Sequence, residues 1–446
     1  MGYSSDGPKP FERASRAQHH HIINDTAVQA LIGRCWLPAP SEKPAFEAIL
    51  VQQRPVDTDP VAYVIAVDGG YAETPIRTEF PSASIAFLQF GALLFRQEDL
   101  QRLDRQPFID PTDMAKLKNL QRLKLALPLK NVRIKNEGTL SASVRRSIFD
   151  FFVQQKIEDR PLIDTLAWLV FRRFKPTRTP EDQTWHLAQN PYTGEAVDLA
   201  ESTLQTDYTF KCPTTKKPIY LTDVFRLHEV IDEERGAAGI LGYLTNTIEH
   251  LLIAHLVRQL LLQQPELLKQ VFLIKDGPLG FFGQTANLHK PFRELAISLF
   301  DRYNFLVAGL EKSGAFVEHA REIAPCLPNG SVLLLNNDYI YTYILPGSAD
   351  PNRAYGSTTN YGHKVIFKSQ SGQMHVVSLP SRTISAAPKV SDIPNFHLLL
   401  KNIESLRCDM YDSALIPVAL VNSLVSLSDH PSAQILRQFA TASIQR

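Results

Sequence analysis

The chain has 446 residues, more than a single hydrophobic core usually supports, so one elaborated domain or two domains are expected. Hydrophobic residues make up 44% and charged residues 21% of the chain, which excludes a disordered protein. Its 47 Lys and Arg residues are balanced by 46 Asp and Glu residues; this excludes a uniformly basic nucleic-acid-binding surface but is compatible with a local basic channel.

Residues 1–60 are predicted to form an N-terminal helical segment, with a helix over Ala14–Cys35 followed by a Pro-rich connection. Residues 61–98 contain two apolar β-type runs, Ala62–Val67 and Ala83–Phe95, which favour a hairpin with a long loop. The first run leads directly into Asp68-Gly69-Gly70. These residues are expected to be the first part of an α/β core.

Residues 99–238 are predicted to be a large, mostly helical insertion. Within it, residues 174–220 are rich in Pro, Thr and aromatic side chains and indicate a small inserted module. This module contains "NPYTG" at 190–194 and "CPTTK" at 212–216, which have the shape of two zinc-ribbon knuckles. Three of the four ligand positions hold Asn190, Thr193 and Thr215, and the single thiol of Cys212 cannot hold structural Zn²⁺. No bound zinc is therefore expected, whether the motif is a degenerate ribbon or a coincidence.

Residues 239–446 are expected to complete the core. A long, largely apolar helix over Ile240–Gln264 is predicted to be mostly buried. The strands expected after it are Val271–Lys275, Phe305–Gly309, Ser331–Leu335, Tyr339–Ile344, Lys364–Lys368 and His375–Leu379. The helices expected among and after them are Pro291–Phe300, Ala315–Ile323, Asn395–Leu406 and Leu415–Leu427. A hairpin, a helical insert and then alternating strands and helices predict an α/β fold with a mixed sheet.

The cysteines lie far apart and form no CxxC pair, which excludes a disulfide framework and is typical of a reducing cytosol. The first thirty residues contain no apolar signal core. The most apolar run, Leu251–Leu262, includes His255 and Arg258 and is too short to cross a bilayer. A soluble cytoplasmic protein without membrane attachment is expected.

Two aspartates share one local setting, because Asp68 and Asp276 each follow a short apolar β run and directly precede a glycine. If both runs are central strands of one sheet, both carboxylates emerge at the edge where open α/β sheets build sites. Two carboxylates that converge there repel each other unless a divalent cation lies between them, and hard oxygen ligands suit Mg²⁺ or Mn²⁺. The alternative is that each Asp-Gly pair is an ordinary turn.

The motifs "AVDGG", "LIKDGPLGFFG", "LVAGLEKSGAF" and "ALIPVALVNSLVSLS" resemble, in this order, those of the NurA family of DNA-end-processing nucleases. The matched segments cover residues 62–95 and roughly 240–430. The resemblance implies a ribonuclease H-like core in which clustered acidic residues hold catalytic manganese. It assigns Asp68 as the first acidic ligand and Asp276 as the ligand at the later strand end.

The resemblance also implies a ligand on the helix before the second Asp-Gly strand, and Glu249 is the best match. Glu266 is its competitor, and a capping acid at a helix start is the alternative reading of Glu249. On the last core helix the family places a polar residue, often His or Asp; here Asn422 stands there, with Asp412 upstream, so the fourth metal position departs from the pattern. Lys312 either neutralises a phosphate or orients the attacking water, or is a solvated loop lysine.

The expected function is therefore a metal-dependent DNA nuclease, using Mn²⁺ or Mg²⁺, that processes DNA ends in repair or antiviral defence. The resemblance implies a homodimer that docks on a HerA-type hexameric translocase ATPase, and this chain has no GxxxxGK[ST] loop of its own. The apolar character of the helices near 240–264 and 412–428 also favours a dimer. The alternative is a weak or inactive relative that serves the ATPase as a scaffold or DNA-binding adaptor.

Overall fold

A computed structural model describes residues 21–35, 46–76, 82–103, 119–408, 414–427 and 432–444. Of the helix expected over Ala14–Cys35, residues 14–20 lie outside this part; within it, helix α1 covers Thr26–Ile32. Asp25 caps α1, because its Oδ1 accepts hydrogen bonds from the backbone N–H groups of Ala27 and Val28. None of the residues of α1 is buried.

Nine of the described strands form one sheet. The first three long strands of the chain pair antiparallel with one another in sequence, and the other strands of the sheet come earlier or later in the chain. In chain order the described strands are β1 Leu50–Gln52, β2 Tyr63–Pro75, β3 Ser84–Arg96, β4 Asn119–Lys130, β5 Lys156–Ile157, β6 Arg160–Pro161, β7 Thr184–Leu187, β8 Val197–Ala200, β9 Thr209–Lys211, β10 Pro218–Tyr220, β11 Val271–Asp276, β12 Leu306–Glu311, β13 Ser331–Leu334, β14 Gly362–Lys368 and β15 Met374–Pro380.

The sheet has the order β1-β13-β14-β15-β12-β11-β2-β3-β4. Strands β2, β3 and β4 form an antiparallel meander, and β11 and β12 run parallel to β2. These five strands, in the order β4-β3-β2-β11-β12, have the ribonuclease H-like arrangement that the resemblance implies. The remaining strands extend the sheet through antiparallel pairs. The prediction of a mixed α/β sheet is confirmed.

Helices cover both faces of this sheet. After α1, the longer helices described are α2 Gln97–Leu103, α3 Leu140–Gln154, α4 Leu162–Val170, α5 Leu241–Gln263, α6 His289–Tyr303, α7 Ala315–Ile323, α8 Phe396–Ser405, α9 Ile416–Val425 and α10 Ser432–Ile444. Because neighbouring side chains of a strand point to opposite faces, β2 divides its apolar residues between two cores. Ile65 and Val67 belong to the core that contains α5, whereas Val64 and Ala66 belong to the core that contains α8 and α9.

Three segments differ from the sequence-based expectation. Residues 50–52, expected to lie in the Pro-rich connection of the N-terminal helical segment, form β1 and pair with β13. Residues 119–130, within the segment expected to be a helical insertion, form β4 of the main sheet. Residues 340–344, expected to be part of a strand, continue a short helix that begins at Asn337. The Asn336 side chain caps this helix by accepting a hydrogen bond of 2.8 Å from the backbone N–H of Tyr339, which outweighs the strand preference of the following aromatic and β-branched residues.

Helix α5 is mostly buried, as expected from its composition. By length and composition alone the described helix over Ala238–Gln263 is able to cross a membrane, but most of it packs inside the protein, as core helices do. The core-facing residues of α9 are also buried. In α5, however, Leu262 is exposed and Leu256, Leu260 and Leu261 are only half-buried, so part of the apolar surface on which the sequence-based expectation of a dimer depends remains outside the core. Among the described residues, further exposed apolar side chains lie near the ends of the chain, at Ile22, Ile23, Leu31, Ile32, Ile435 and Phe439.

The two knuckle motifs lie at the tips of two small hairpins, β7–β8 and β9–β10. The tips face each other, because the Asn190 Nδ2 atom donates a hydrogen bond of 3.2 Å to the Sγ atom of Cys212. The backbone N–H of Thr215 lies 3.5 Å from the same sulfur. Hydrogen bonds thus join the positions at which a zinc ribbon has its metal.

Candidate metal centre

Asp68 and Asp276 lie side by side on adjacent parallel strands. The register pairs Ala66 with Ile274 and Val67 with Lys275, so the next step along both strands brings Asp276 beside Asp68. Both aspartates share the strand parity of Ala66 and Ile274, whose side chains face α9. The candidate centre is therefore on the α9 face of the sheet.

Strand β2 does not end at Asp68. It continues to Pro75, and Gly69 and Gly70 pair with Phe90 and Gln89 of β3. The reading of Asp68-Gly69 as a turn is wrong, and so is the expectation that Asp68 stands at a strand end. Asp68 nevertheless lies next to the end of a strand, because the neighbouring strand β11 stops at Asp276. Gly277, with a φ of +88°, turns the chain away from the sheet there.

Helix α9 approaches this part of the sheet closely because two glycines leave room for it. A Cβ atom at Gly70 would lie 2.7 Å from the carbonyl oxygen of Val425, and one at Gly91 would lie 2.9 Å from the Val425 side chain. The close approach brings Asn422 to the centre, where its Nδ2 atom donates a hydrogen bond of 2.9 Å to Oδ2 of Asp68. Asn422 therefore meets Asp68 as a hydrogen-bond donor.

Asp68 is buried, with 3% of its surface exposed, and its other oxygen, Oδ1, accepts a hydrogen bond of 2.8 Å from the Gly69 N–H. Burial and, to a smaller extent, the negative charges of Asp276 and Glu249 together raise the pKa of Asp68 to about 7, against the opposing effects of Lys312 and Asn422. At Asp68, therefore, burial and the neighbouring carboxylates outweigh the stabilising effect of Lys312 on the charged form.

Asp276 has a cationic partner. The Lys312 Nζ atom lies 2.7 Å from Oδ2 of Asp276, and about a third of the Lys312 side chain is exposed. The structure thus places Lys312 in direct contact with the cluster, which argues against an isolated solvated lysine.

Glu249 approaches the same part of the sheet from α5, on the other face. It lies in the third turn of that helix, so it does not cap the helix start. Its Oε2 atom is 2.6 Å from the Nζ atom of Lys275, and the backbone N–H of Gly69 also donates to its carboxylate. Burial raises the pKa of Glu249 above its ordinary value, against the opposing effect of the Lys275 ammonium. The competitor Glu266 is exposed and pairs with Lys269.

Lys275 is a further charged residue of the site, and it is not among the residues predicted from the sequence motifs. It is 1% exposed, and besides Glu249 it contacts the backbone oxygen of Asp276 at 2.5 Å. Its signal in the sequence is a single charge inside the apolar run "VFLIKD". A lysine in a buried strand requires a buried anion, and Glu249 supplies it.

The structure brings the four expected ligands close together, but they take part in different hydrogen bonds and ion pairs. The four residues are Asp68, Glu249, Asp276 and Asn422. Within the described ranges, no group of three or more His, Cys, Asp and Glu side chains is placed to hold a metal ion. Asp412 lies outside them. Two adjacent carboxylates, Asp68 and Asp276, still suit Mg²⁺ or Mn²⁺, because such ions use one or two protein carboxylates and complete their coordination with water and substrate phosphate. The residues present therefore fit a divalent cation on the α9 face.

Glycine 309 of β12 holds the Asp276 turn in place, and we expect Gly309→Ala to displace it. A Cβ atom there would lie 2.4 Å from the carbonyl oxygen of Gly277, which is backbone and cannot move aside. The free energy of unfolding, measured by urea denaturation, should fall by about 1–3 kcal/mol. Gly242→Ala in α5, where nothing lies within 4 Å of the added atom, is the control and should be neutral or stabilising. Equal stability of the two variants would contradict this packing.

Comparisons with known proteins add little to this geometry. No protein-family model matches the chain, and no curated protein matches it. Among solved structures, the NurA nuclease from Sulfolobus solfataricus is similar at 8% identity and a TM-score of 0.36, over 97% of this chain and 98% of that one. A NurA structure with manganese has 13% identity and a TM-score of 0.28, over 87% and 90%, and a further NurA structure has 11% and 0.27, over 95% and 97%. These values establish neither family nor activity, so the chemistry depends on the residues described above.

Proposed function

We propose that the protein is a metal-dependent DNA nuclease whose divalent cation, Mn²⁺ or Mg²⁺, is held by Asp68 and Asp276. The observation that carries the proposal is the pair of carboxylates side by side on parallel strands, one of them buried and bonded to neutral groups. Burying an aspartate among other acids is unfavourable unless a cation binds there. The resemblance of the four sequence motifs to NurA nucleases supplies the substrate class.

Each group of the chain has a role in this proposal. The bound cation supplies Lewis acidity toward the phosphodiester and the attacking water. Asn422 orients the Asp68 carboxylate, and the Gly69 N–H fixes its second oxygen. Lys312 is exposed enough for its side chain to swing from Asp276 to a substrate phosphate. Its ammonium is a compact positive charge that would bind the phosphate there. Glu249 and Lys275 form the buried wall behind these groups.

The second candidate function is an inactive scaffold or DNA-binding adaptor. It is favoured by the two lysines, because Lys275 and Lys312 already pair with two of the three acids. It is also favoured by the lack, within the described residues, of a group of three metal-ligating side chains. Cleavage decides between the two functions.

The test is cleavage of labelled single- and double-stranded DNA by the full chain, with Mn²⁺, Mg²⁺ or EDTA. We expect cleavage with either cation and none with EDTA. Asp276→Asn should slow it by about 10²–10³-fold or more, because one ligand of the cation is lost. Asp301→Asn, which breaks an exposed pair with Arg382, is the matched control and should cleave normally. Absence of cleavage in every condition, with the fold intact, would favour the adaptor.

We further propose that the protein acts as a homodimer together with a HerA-type hexameric ATPase, in DNA repair or antiviral defence. The resemblance implies this assembly, and the exposed apolar side chains of the helical segments at both ends of the described chain offer surface for it. Light scattering at low micromolar concentration should give a mass near 100 kDa, about twice the 50.1 kDa chain. A stable 50 kDa species that cleaves DNA would exclude an obligate dimer.

A further inference from the structure

The acidic groups of the candidate centre are divided between the two faces of the sheet. Asp68 and Asp276 face α9, together with Asn422, whereas Glu249 comes from α5 on the opposite face. Lys275 precedes Asp276 in β11 and therefore points to the α5 face. Each face thus has its own set of charges.

The Glu249–Lys275 pair is closed to solvent. Glu249 is 5% and Lys275 1% exposed, and the ammonium is held by the carboxylate and by the Asp276 backbone oxygen. If either side chain moved away, it would leave an uncompensated charge in the interior, which is strongly unfavourable. The Glu249 oxygen that contacts Lys275 is therefore not free to bind an ion from solution.

The other lysine is in a different position. Lys312 pairs with Oδ2 of Asp276, and its side chain is about one-third exposed, so its ammonium can move into water instead of being left in the interior. Asp68 and Asp276 would hold a divalent cation that enters from solvent once the Lys312 ammonium has moved aside. Such a cation has no equivalent access to Glu249.

We infer that the centre binds a single divalent cation per chain, between Asp68 and Asp276, and that the Lys275 ammonium permanently takes the place of a second cation beside Glu249. This inference rests on the proposed function. It differs from the two-ion arrangement in which paired cations stabilise the attacking and leaving oxygens.

The test is titration of the metal-free full chain with Mn²⁺, followed by calorimetry and by electron paramagnetic resonance. We expect one Mn²⁺ per chain and the hyperfine pattern of an isolated ion at saturation. Lys312→Ala should tighten Mn²⁺ binding by about two- to fivefold, because the competing ammonium is removed. Two ions per chain with a spin-coupled spectrum would overturn the inference and leave the nuclease proposal standing.

Two variants test the assignment of the ligands. Glu249→Gln combined with Lys275→Met removes both buried charges together, which keeps the interior neutral. This double variant should retain one Mn²⁺ with affinity within about twofold. Asp276→Asn should weaken Mn²⁺ binding by at least about tenfold. Loss of Mn²⁺ binding in the folded double variant would make Glu249 a ligand and overturn the inference.

The outcomes of cleavage and binding are separable. One bound Mn²⁺ without cleavage would reject the nuclease proposal and retain the single-cation centre. No Mn²⁺ binding in the wild-type chain would reject both.

Discussion

Asp68→Asn is expected to abolish DNA cleavage and, above pH 7, to raise the stability of the metal-free protein. The raised pKa means that the folded protein binds the Asp68 proton more tightly than the unfolded chain, in which the pKa is about 3.8. The wild-type protein therefore loses stability as the pH rises from about 4 through about 7. Asparagine carries no charge, so the variant escapes this penalty, which amounts to about 2–4 kcal/mol at pH 8.

The measurement is urea unfolding of both proteins in EDTA, at pH 4 and pH 8, together with the cleavage assay in Mn²⁺. The two free energies of unfolding should be similar at pH 4 and diverge at pH 8, with the variant the more stable. Cleavage by the variant should fall by about 10²–10³-fold or more. A variant that is less stable at pH 8 would show that Asp68 is not held in an unfavourable charged state.

Asp223→Ala is expected to lower the free energy of unfolding by about 3–5 kcal/mol, because it breaks a buried ion pair from one side. Arg145 of α3 donates two hydrogen bonds to Asp223, at 2.8 and 2.7 Å. The backbone N–H of Tyr220 donates to the same carboxylate at 2.8 Å, and the guanidinium lies 4.9 Å from the ring centre of Tyr192. The aspartate thus joins α3 to the segment that contains the two small hairpins.

The matched control lies one residue further along the same helix. Arg146 pairs with Asp150 at 2.8 Å, but both side chains are substantially exposed. Asp150→Ala should therefore cost less than about 1 kcal/mol in the same urea experiment. A similar cost for the two substitutions would mean that Arg145 finds another partner or water when Asp223 is lost.

Much of the sheet is predictable from the sequence, because apolar β-branched runs between turn residues identify β2, β3 and β11–β15. Strand β4 is not, although Leu123, Leu125, Leu127 and Leu129 alternate toward the core. Its leucines and basic residues are good helix formers, and pairing with β3 overrides that preference. The local preference of these residues gives no information about their pairing with β3.

The candidate centre is predictable in part for a similar reason. The shared setting of Asp68 and Asp276 indicates a pair of carboxylates, and the register places them together. Which side chain neutralises which acid depends on the faces of the sheet and on the approach of α5 and α9. The Lys275–Glu249 contact joins residues that are 26 positions apart through this tertiary packing, so no spacing rule in the sequence reveals it.

The continuation of β2 beyond Asp68 gives the protein a wall next to the centre. Seven residues, Gly69–Pro75, remain paired with β3 after β11 has ended. At about 3.3 Å per residue this ribbon is about 23 Å long. Helix α10 braces its far end, where the Thr441 hydroxyl donates to the Ile76 carbonyl and the rings of Phe439 and Phe87 are in contact. Base pairs in B-DNA are stacked about 3.4 Å apart, so under the proposed function a DNA duplex lying along the wall would match its length over about seven base pairs.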